Sequence, residues 1–256
     1  MLIRSWNLFH GHTCPPGWEA YLEEMVRLAS ADRPDVLVLQ EIPVWALDRL
    51  AEWSGMSVVA DVARRPTFGP VPISGQIGRT LTSLRPGLFR SAFAGQGNAI
   101  LLGEGLRVAA HEVVVLNPGD FRREQARSLG LGPIVRLAWA KERRICQVAR
   151  LEQGIVIANL HASGSLGDPR VPAAELRRAV TFAEGLGRVG DAVVIAGDFN
   201  VAGDAAALDG YSAPGPWIDH IEVRGGTPTP LRTWPDERRV RNGMLLSDHA
   251  PVELDL

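Results

Sequence analysis

The 256-residue chain has two cysteines, one lysine and no long apolar run. Cys14 and Cys146 are too few for a disulfide framework and lack metal-ligand spacing, so two ordinary thiols are expected. No apolar stretch approaches the roughly 20 residues needed to cross a bilayer. A strand is expected from residue 2, which leaves no room for a signal peptide and makes the cytoplasm the expected location. Charge of one sign is also scarce in net terms: 27 basic against 29 acidic residues leave −2. That rules out a general polycation, so any contact with nucleic acid must use a local patch. Of the basic residues only Lys141 is lysine. A GC-rich genome accounts for most of that bias; guanidinium forks that match phosphate can account for only a few arginines.

Nucleotide-binding signatures are missing too. Gly95-Gln96-Gly97 lacks the third glycine of a dinucleotide fingerprint, and no Gly-Lys-Ser/Thr marks a P-loop. Ser163-Gly164-Ser165 does not satisfy Gly-x-Ser-x-Gly. Without a repeat, a low-complexity tail or a dividing linker, residues 1–256 are expected to form a single domain. With 46% hydrophobic and 22% charged residues, the composition is that of an ordinary globular protein.

What is present is a set of apolar runs that end abruptly on polar residues. Val193-Val194-Ile195-Ala196 reads as a strand buried on both faces and runs into Gly197-Asp198-Phe199-Asn200. At i and i+2 of an extended segment, Asp198 and Asn200 would share a side and reach one cation or phosphate. Val36–Leu39 leads into Gln40-Glu41, Ile155–Ala158 into Asn159-Leu160-His161, and Ile3 begins a run ending at Asn7. Met244-Leu245-Leu246 precedes Ser247-Asp248-His249, and Asp219 lies within the apolar segment Trp217–Ile221. Six such ends suggest one polar site assembled at a sheet edge.

Helical spacing is expected from Trp18 to Ala29, stopped by Pro34, again from Pro43 to Trp53, and over Pro172–Leu186. Further strands are expected at 97–102, 108–116, and as a hairpin of 134–140 with 144–151 through Lys141-Glu142-Arg143. Residues 61–95 read as loop or short irregular strands, and 121–131 as an exposed loop or short helix. Many buried strands with few helices suggest two packed sheets with helices outside.

Glu41, Asp198, Asn7 and Asn200 form an all-oxygen set suited to Mg²⁺ or Mn²⁺; zinc would call for a Cys cluster or a His-x-x-x-His pair. Glu41 could alternatively cap the helix that follows it, and Asn7 could be a plain turn residue. His249 needs a carboxylate to act as a base, and Asp219 is the candidate because it is embedded in an apolar strand. Asp248, as a strand neighbour of His249, would point to the other face, toward the metal or a second cation. His161 could donate to a phosphate oxygen. His10 and His12 follow Asn7 closely enough to touch substrate; His111 and His220 read as structural. Arg122, Arg123, Arg143 and Arg144 could steer a polyanion or simply form a solvated face.

The ordered set Asn7, Gln40-Glu41, Gly97-Asn98-Ala99-Ile100, Asn159-Leu160-His161, Gly197-Asp198-Phe199-Asn200, Asp219-His220-Ile221 and Ser247-Asp248-His249-Ala250-Pro251-Val252 resembles the endonuclease/exonuclease/phosphatase superfamily over essentially the whole chain. The resemblance implies an α/β fold, a four-layer αββα sandwich of two packed mixed sheets flanked by helices. It implies a phosphoesterase dependent on Mg²⁺ or Mn²⁺, with Glu41, Asn7 and Asp248 at the metal. Asp198 and Asn200 would align water and phosphate, His161 and His10 would contact substrate, and His249 paired with Asp219 would act as base or phosphate donor. Leu8-Phe9-His10-Gly11 and His161 depart from the abasic-site endonuclease branch; the His-bearing pattern is similar to deoxyribonuclease-like, sphingomyelinase-like and phosphoinositide-phosphatase-like members. A phosphate ester, DNA or RNA first, is the implied partner, without a membrane span or an obligate protein partner. A small phosphorylated metabolite, a lipid headgroup, or a non-catalytic role on the same fold are the alternatives.

Overall fold

In a computed structural model, all residues are described except 18–19, 69–70, 85–93, 142, 165–166, 213–214 and 216. Trp18, Glu142, Ser165 and parts of the 61–95 segment therefore lie outside the described residues. The chain divides into two compact units, Met1–Leu106 with Arg232–Leu256, and Arg107–Leu231.

The first unit is built on a six-stranded mixed sheet. In chain order its strands and those of its small sheets are β1 (Leu2–Asn7), β2 (Thr13–Cys14), β3 (Val36–Ile42), β4 (Ser57–Arg64), β5 (Thr67–Phe68), β6 (Val71–Pro72) and β7 (Gln96–Leu102). The second unit contributes β8 (Val108–Val115), β9 (Ile145–Leu151), β10 (Ile155–His161), β11 (Ala192–Asp198) and β12 (Asp219–Arg224). The chain then returns to the first unit with β13 (Arg232–Thr233), β14 (Val240–Arg241), β15 (Met244–Leu246) and β16 (Val252–Asp255). The large sheet of the first unit has the order β13-β16-β1-β3-β7-β4, and that of the second β12-β11-β10-β9-β8.

Each sheet contains one parallel pair, and in each case a helix makes the crossover that parallel strands require. Between β1 and β3 lies α1 (Leu22–Ser30), whose Met25, Val26 and Ala29 pack on Leu37, Leu39, Ala99 and Leu101. Between β10 and β11 lies the long helix Arg170–Leu186, whose Leu176, Ala179 and Ala183 pack on Val156, Ala158, Val193 and Ile195. Alternation along the strands then sends Asn7, Gln40 and Asn98 to the sheet face opposite α1, and Asp198 and Asp219 to the face opposite the long helix. No helix among the described residues is long and apolar enough to cross a membrane.

Among the described residues the other α-helices are α2 (Leu50–Ser54), α3 (Gly75–Leu84), α4 (Gly119–Ser128) and α5 (Pro133–Trp139); the long helix is α6. Several expectations need correction here. In place of a strand at 134–140 there is a helix, Pro133–Trp139, with Pro133 in its first turn, and β9 pairs with β8 and β10. A short apolar run such as Ile134-Val135-Arg136-Leu137 does not distinguish helix from strand by periodicity. The segment Pro43–Trp53 is mostly a 3-10 turn, Val44–Arg49, with only the short α2 behind it. β4 carries strand structure out to Arg64, and α3 occupies part of what reads as loop. Cys14 and Cys146 are free thiols.

Candidate active-site residues

In the first unit, β1 and β3 run parallel with Asn7 opposite Gln40, so both strands end at the same edge. Asn7 is fully buried, and its Oδ1 accepts the Phe9 N–H at 3.0 Å. A β-bulge between Leu39 and Ile42 interrupts β3, and Glu41 within it has φ 54°. The bulge, rather than strand alternation, therefore sets where the Glu41 carboxylate goes. The 3-10 turn after it, Val44–Arg49, has Pro43 at its N-cap and takes no side-chain cap, so the capping alternative does not hold. Instead Glu41 Oε2 lies 3.4 Å from Nε2 of His10. His10 is itself left-handed, φ 55°. Gly11, at φ 84°, lets the chain pass Leu22 so closely that an added Cβ would sit 2.7 Å from the Leu22 Cβ. Three consecutive unusual conformations, Phe9 to Gly11, thus bring an imidazole to a carboxylate, the kind of local strain that clusters at functional sites.

Ser247-Asp248-His249 forms a turn between β15 and β16, not part of a strand, so the opposite-face argument for Asp248 fails. His249 Nε2 is 3.9 Å from Asp248 Oδ1. Three groups hold this turn, two of them to the end of β1. Ser247 Oγ donates to the Asn7 carbonyl at 2.7 Å and accepts the His249 N–H at 3.0 Å. Trp6 Nε1 donates to the His249 carbonyl at 2.9 Å. Buried Arg239 donates from Nη1 to the carbonyls of Leu246, Ser247 and His249 at 2.9, 2.9 and 3.2 Å. The sequence gives no sign of these roles: Arg239 is one arginine among many.

The second unit assembles its set by register. His161 is opposite Asp198 across the parallel β10/β11 pair, and Asp219 is opposite Asp198 across the antiparallel β11/β12 pair. Asp219 is thus the first residue of its strand, not embedded within one. Both carboxylates are buried. Asp198 Oδ1 accepts the Asn200 N–H at 2.9 Å, and Oδ2 lies 3.5 Å from His161 Nε2. Asn200 has φ 51° and donates from Nδ2 to the Ala162 carbonyl at 3.0 Å. Asn200 thus folds back on Asp198 through its backbone N–H in an Asp-centred turn, not through an extended i, i+2 relation, while its side chain is held at the Ala162 carbonyl. Gly197 is required: at φ 136°, an added Cβ would lie 1.9 Å from the Leu160 carbonyl oxygen.

Arg144, which reads as a steering or solvated charge, is buried, with Nη1 3.0 Å from His161 Nδ1 and 3.2 Å from Nε2. The tautomer that serves both neighbours has Nδ1 accepting from Arg144 and Nε2–H directed to Asp198. The register of β9 against β10, Cys146 opposite Leu160, places Arg144 there. Glu175 on α6 secures the segment after His161, accepting from the Ser163 N–H at 2.6 Å, Ser163 Oγ at 2.8 Å and Trp139 Nε1 at 2.5 Å; burial raises its pKa despite these donors. His220 is structural: its Nδ1 accepts the Gly215 N–H, its Nε2 reaches the Trp217 carbonyl, its ring stacks on Phe199, and burial lowers its pKa.

The donor chemistry fits a hard divalent ion. Asn7, Glu41 and Asp248 offer oxygens in the first unit. In the second, the buried carboxylates of Asp198 and Asp219 stand opposite each other across the β11/β12 pair, an all-oxygen pair of the kind a hard cation takes.

None of the curated proteins matches the sequence significantly. Solved structures with the same fold include a conserved protein of unknown function from Enterococcus faecalis, 15% identical, covering 100% of this chain and 98% of that one, TM-score 0.67. A mannosyl-6-phosphatase from Bacteroides thetaiotaomicron is 16% identical over 100% and 98%, TM-score 0.64. Truncated TDP2 from Caenorhabditis elegans is 14% identical over 99% and 95%, TM-score 0.61. At these identities the likeness concerns the fold. The family model described as Endonuclease/Exonuclease/phosphatase family matches residues 5–249, so this chain belongs to that family, whose members hydrolyse phosphate esters and generally depend on a divalent metal.

Proposed function

We propose that the chain is a Mg²⁺- or Mn²⁺-dependent phosphodiesterase acting on nucleic acid, with residues 1–256 working as one catalytic domain. The observation that carries this reading is the environment of Asp198. It is a buried carboxylate with His161 and Asp219 both in register beside it and the Asn200 N–H on Oδ1. Its lone pairs are thereby oriented rather than free to rotate, which is what alignment of a nucleophilic water demands.

Glu41, aided by Asn7 and Asp248, would hold the metal ion. Bound there, a divalent ion supplies Lewis-acid polarisation of the phosphate and lowers the pKa of water. Asp198 and Asn200 would orient the water and the phosphate. The His161 Nε2–H, directed to Asp198, would be shared with a non-bridging oxygen of the bound phosphate, with Arg144 fixing the tautomer and adding positive charge. His249 would take or return the proton at its ring nitrogen, with Asp219 stabilising the imidazolium. His10, against Glu41, would meet the substrate from the metal side. A non-catalytic scaffold would have no use for this whole set.

A second reading, a phosphatase of a small sugar phosphate, is favoured by the likeness to the mannosyl-6-phosphatase fold over the full chain. Hydrolysis of bis(p-nitrophenyl) phosphate against p-nitrophenyl phosphate, with and without EDTA, separates the two. The diesterase reading expects metal-dependent turnover of the former; turnover of only the monoester supports the second reading, and none of either defeats both. His249→Ala should lower kcat by roughly 10²–10⁴. An unchanged rate removes His249 from proton transfer.

A further inference from the structure

We infer that a second anion site, built for a phosphate group, lies between α4 and α5 in the second unit. A cavity of about 360 Å³ opens there, lined by Gly119, Arg122, Arg123, Arg136, Leu137 and Trp139 among others. Three guanidiniums thus share one small concavity. Two of them reach back over the start of α4, since a Cβ on Gly119 would meet Arg123 Nη1 at 3.3 Å and Arg122 Nη2 at 4.0 Å.

The negative charge on hand does not balance them. Among the described residues, Arg123 pairs with Asp120, while no carboxylate partner is found for Arg122 or Arg136. The Arg123–Asp120 pair is largely exposed, and such pairs contribute little and exchange readily for another anion. Arg122 Nε is buried with no acceptor. A buried donor left unsatisfied is costly, and three like charges in one concavity repel. A tetrahedral oxyanion resolves both, because its several acceptor oxygens match the guanidinium fork better than a single chloride does.

The rim adds an apolar element. Leu137 of α5 lines the cavity and is 70% exposed, and Ile134, one turn earlier on the same helix, is 82% exposed. A phosphate ester could place its anion among the arginines and its organic part against these side chains. The site therefore takes a phosphate group, either as the free anion or as the end of an organic monoester. Its lining residues are other than the proposed hydrolytic ones.

The test uses the full chain in EDTA, with the arginine Nε–H resonances followed by NMR, Arg122 and Arg136 being assigned by their lysine variants. Inorganic phosphate and phenyl phosphate are titrated separately at constant ionic strength. The expected result is a saturable shift at Arg122 and Arg136, with affinity weakened about tenfold or more in Arg136→Glu. Tighter binding of phenyl phosphate would identify the ester as the source, and equal binding the free anion. Arg136→Gln, which changes less of the surface, should weaken binding by a smaller factor. Shifts that never saturate, or that chloride reproduces, overturn the proposal, as does unaltered affinity in both Arg136 variants. Turnover of p-nitrophenyl esters by these variants reports separately on the hydrolytic reading.

Discussion

Replacing Glu222 by glutamine should remove a specific pH dependence of stability. Glu222 lies on β12 opposite Ile195, on the helix-covered face of the second sheet, with a side chain 2% exposed. Its nearest basic neighbour is no help. His220 Nδ1 is 3.6 Å from Glu222 Oε1, but that nitrogen already accepts the Gly215 N–H and carries no proton on a neutral ring. Glu222 Oε1 is left without a hydrogen-bond partner, and burial pushes the carboxyl pKa from 4.5 up to about 7, opposed only by a backbone N–H from Leu208. The folded state therefore holds a proton more tightly than the unfolded chain. The stability linked to that proton is fully present below pH 4.5 and is lost as pH rises through about 7. A shift from 4.5 to about 7 corresponds to about 3 kcal/mol, an upper figure because the site can relax or admit water. Glu222→Gln keeps the shape without the ionisation. Urea unfolding followed by circular dichroism at a series of pH values should show the variant gaining on the parent protein from pH 4.5 to 8, by on the order of 2–3 kcal/mol. Glu175 and His220 titrate in both proteins, so the difference isolates Glu222. Parallel stability profiles for the two proteins would refute the reasoning.

Gly197→Ala should be tolerated poorly, because the added Cβ meets a backbone oxygen that cannot swing away. A loss of at least about 1–3 kcal/mol is expected, with reduced phosphoesterase activity from a displaced Asp198; an unchanged unfolding midpoint would contradict the geometry. Arg4→Met should cost about 3–5 kcal/mol, since buried Arg4 bonds Asp32, Glu253 and the Ala29 carbonyl and stacks 4.5 Å from the Trp234 ring. The same guanidinium holds the Asp32 pKa at about 2, so this part of the stability gap should be full above pH 3.8 and close as pH falls toward 2; a gap that stays constant over that range would count against this.

The strands were legible because a run such as Val36–Leu39 or Val193–Ala196 has few other ways to bury four branched or apolar side chains in succession. The positions of the polar residues that follow those runs, Asn7, Glu41, His161, Asp198 and Asn200, were legible for a related reason: each is contiguous in sequence with the apolar run it follows. Residues 134–140 were misread because Ile, Val and Leu in a seven-residue stretch suit either period. The outcome rests on Pro133 starting the helix and on Trp139 finding Glu175, 36 positions away.

Sequence alone thus determined which residue types stand at the ends of the buried strands, and with them the family. Tertiary structure alone decided which of those residues meet. Asp198 faces His161 and Asp219 through strand register, Arg144 reaches His161 from a neighbouring strand, and Arg239 clamps the turn that carries His249. Hydrophobic periodicity is a property of contiguous residues and survives in one dimension. Register, bulges such as the one at Glu41, and the partner of a given arginine depend on segments far apart in the chain, and are selected only when the folded molecule satisfies all its buried polar groups together.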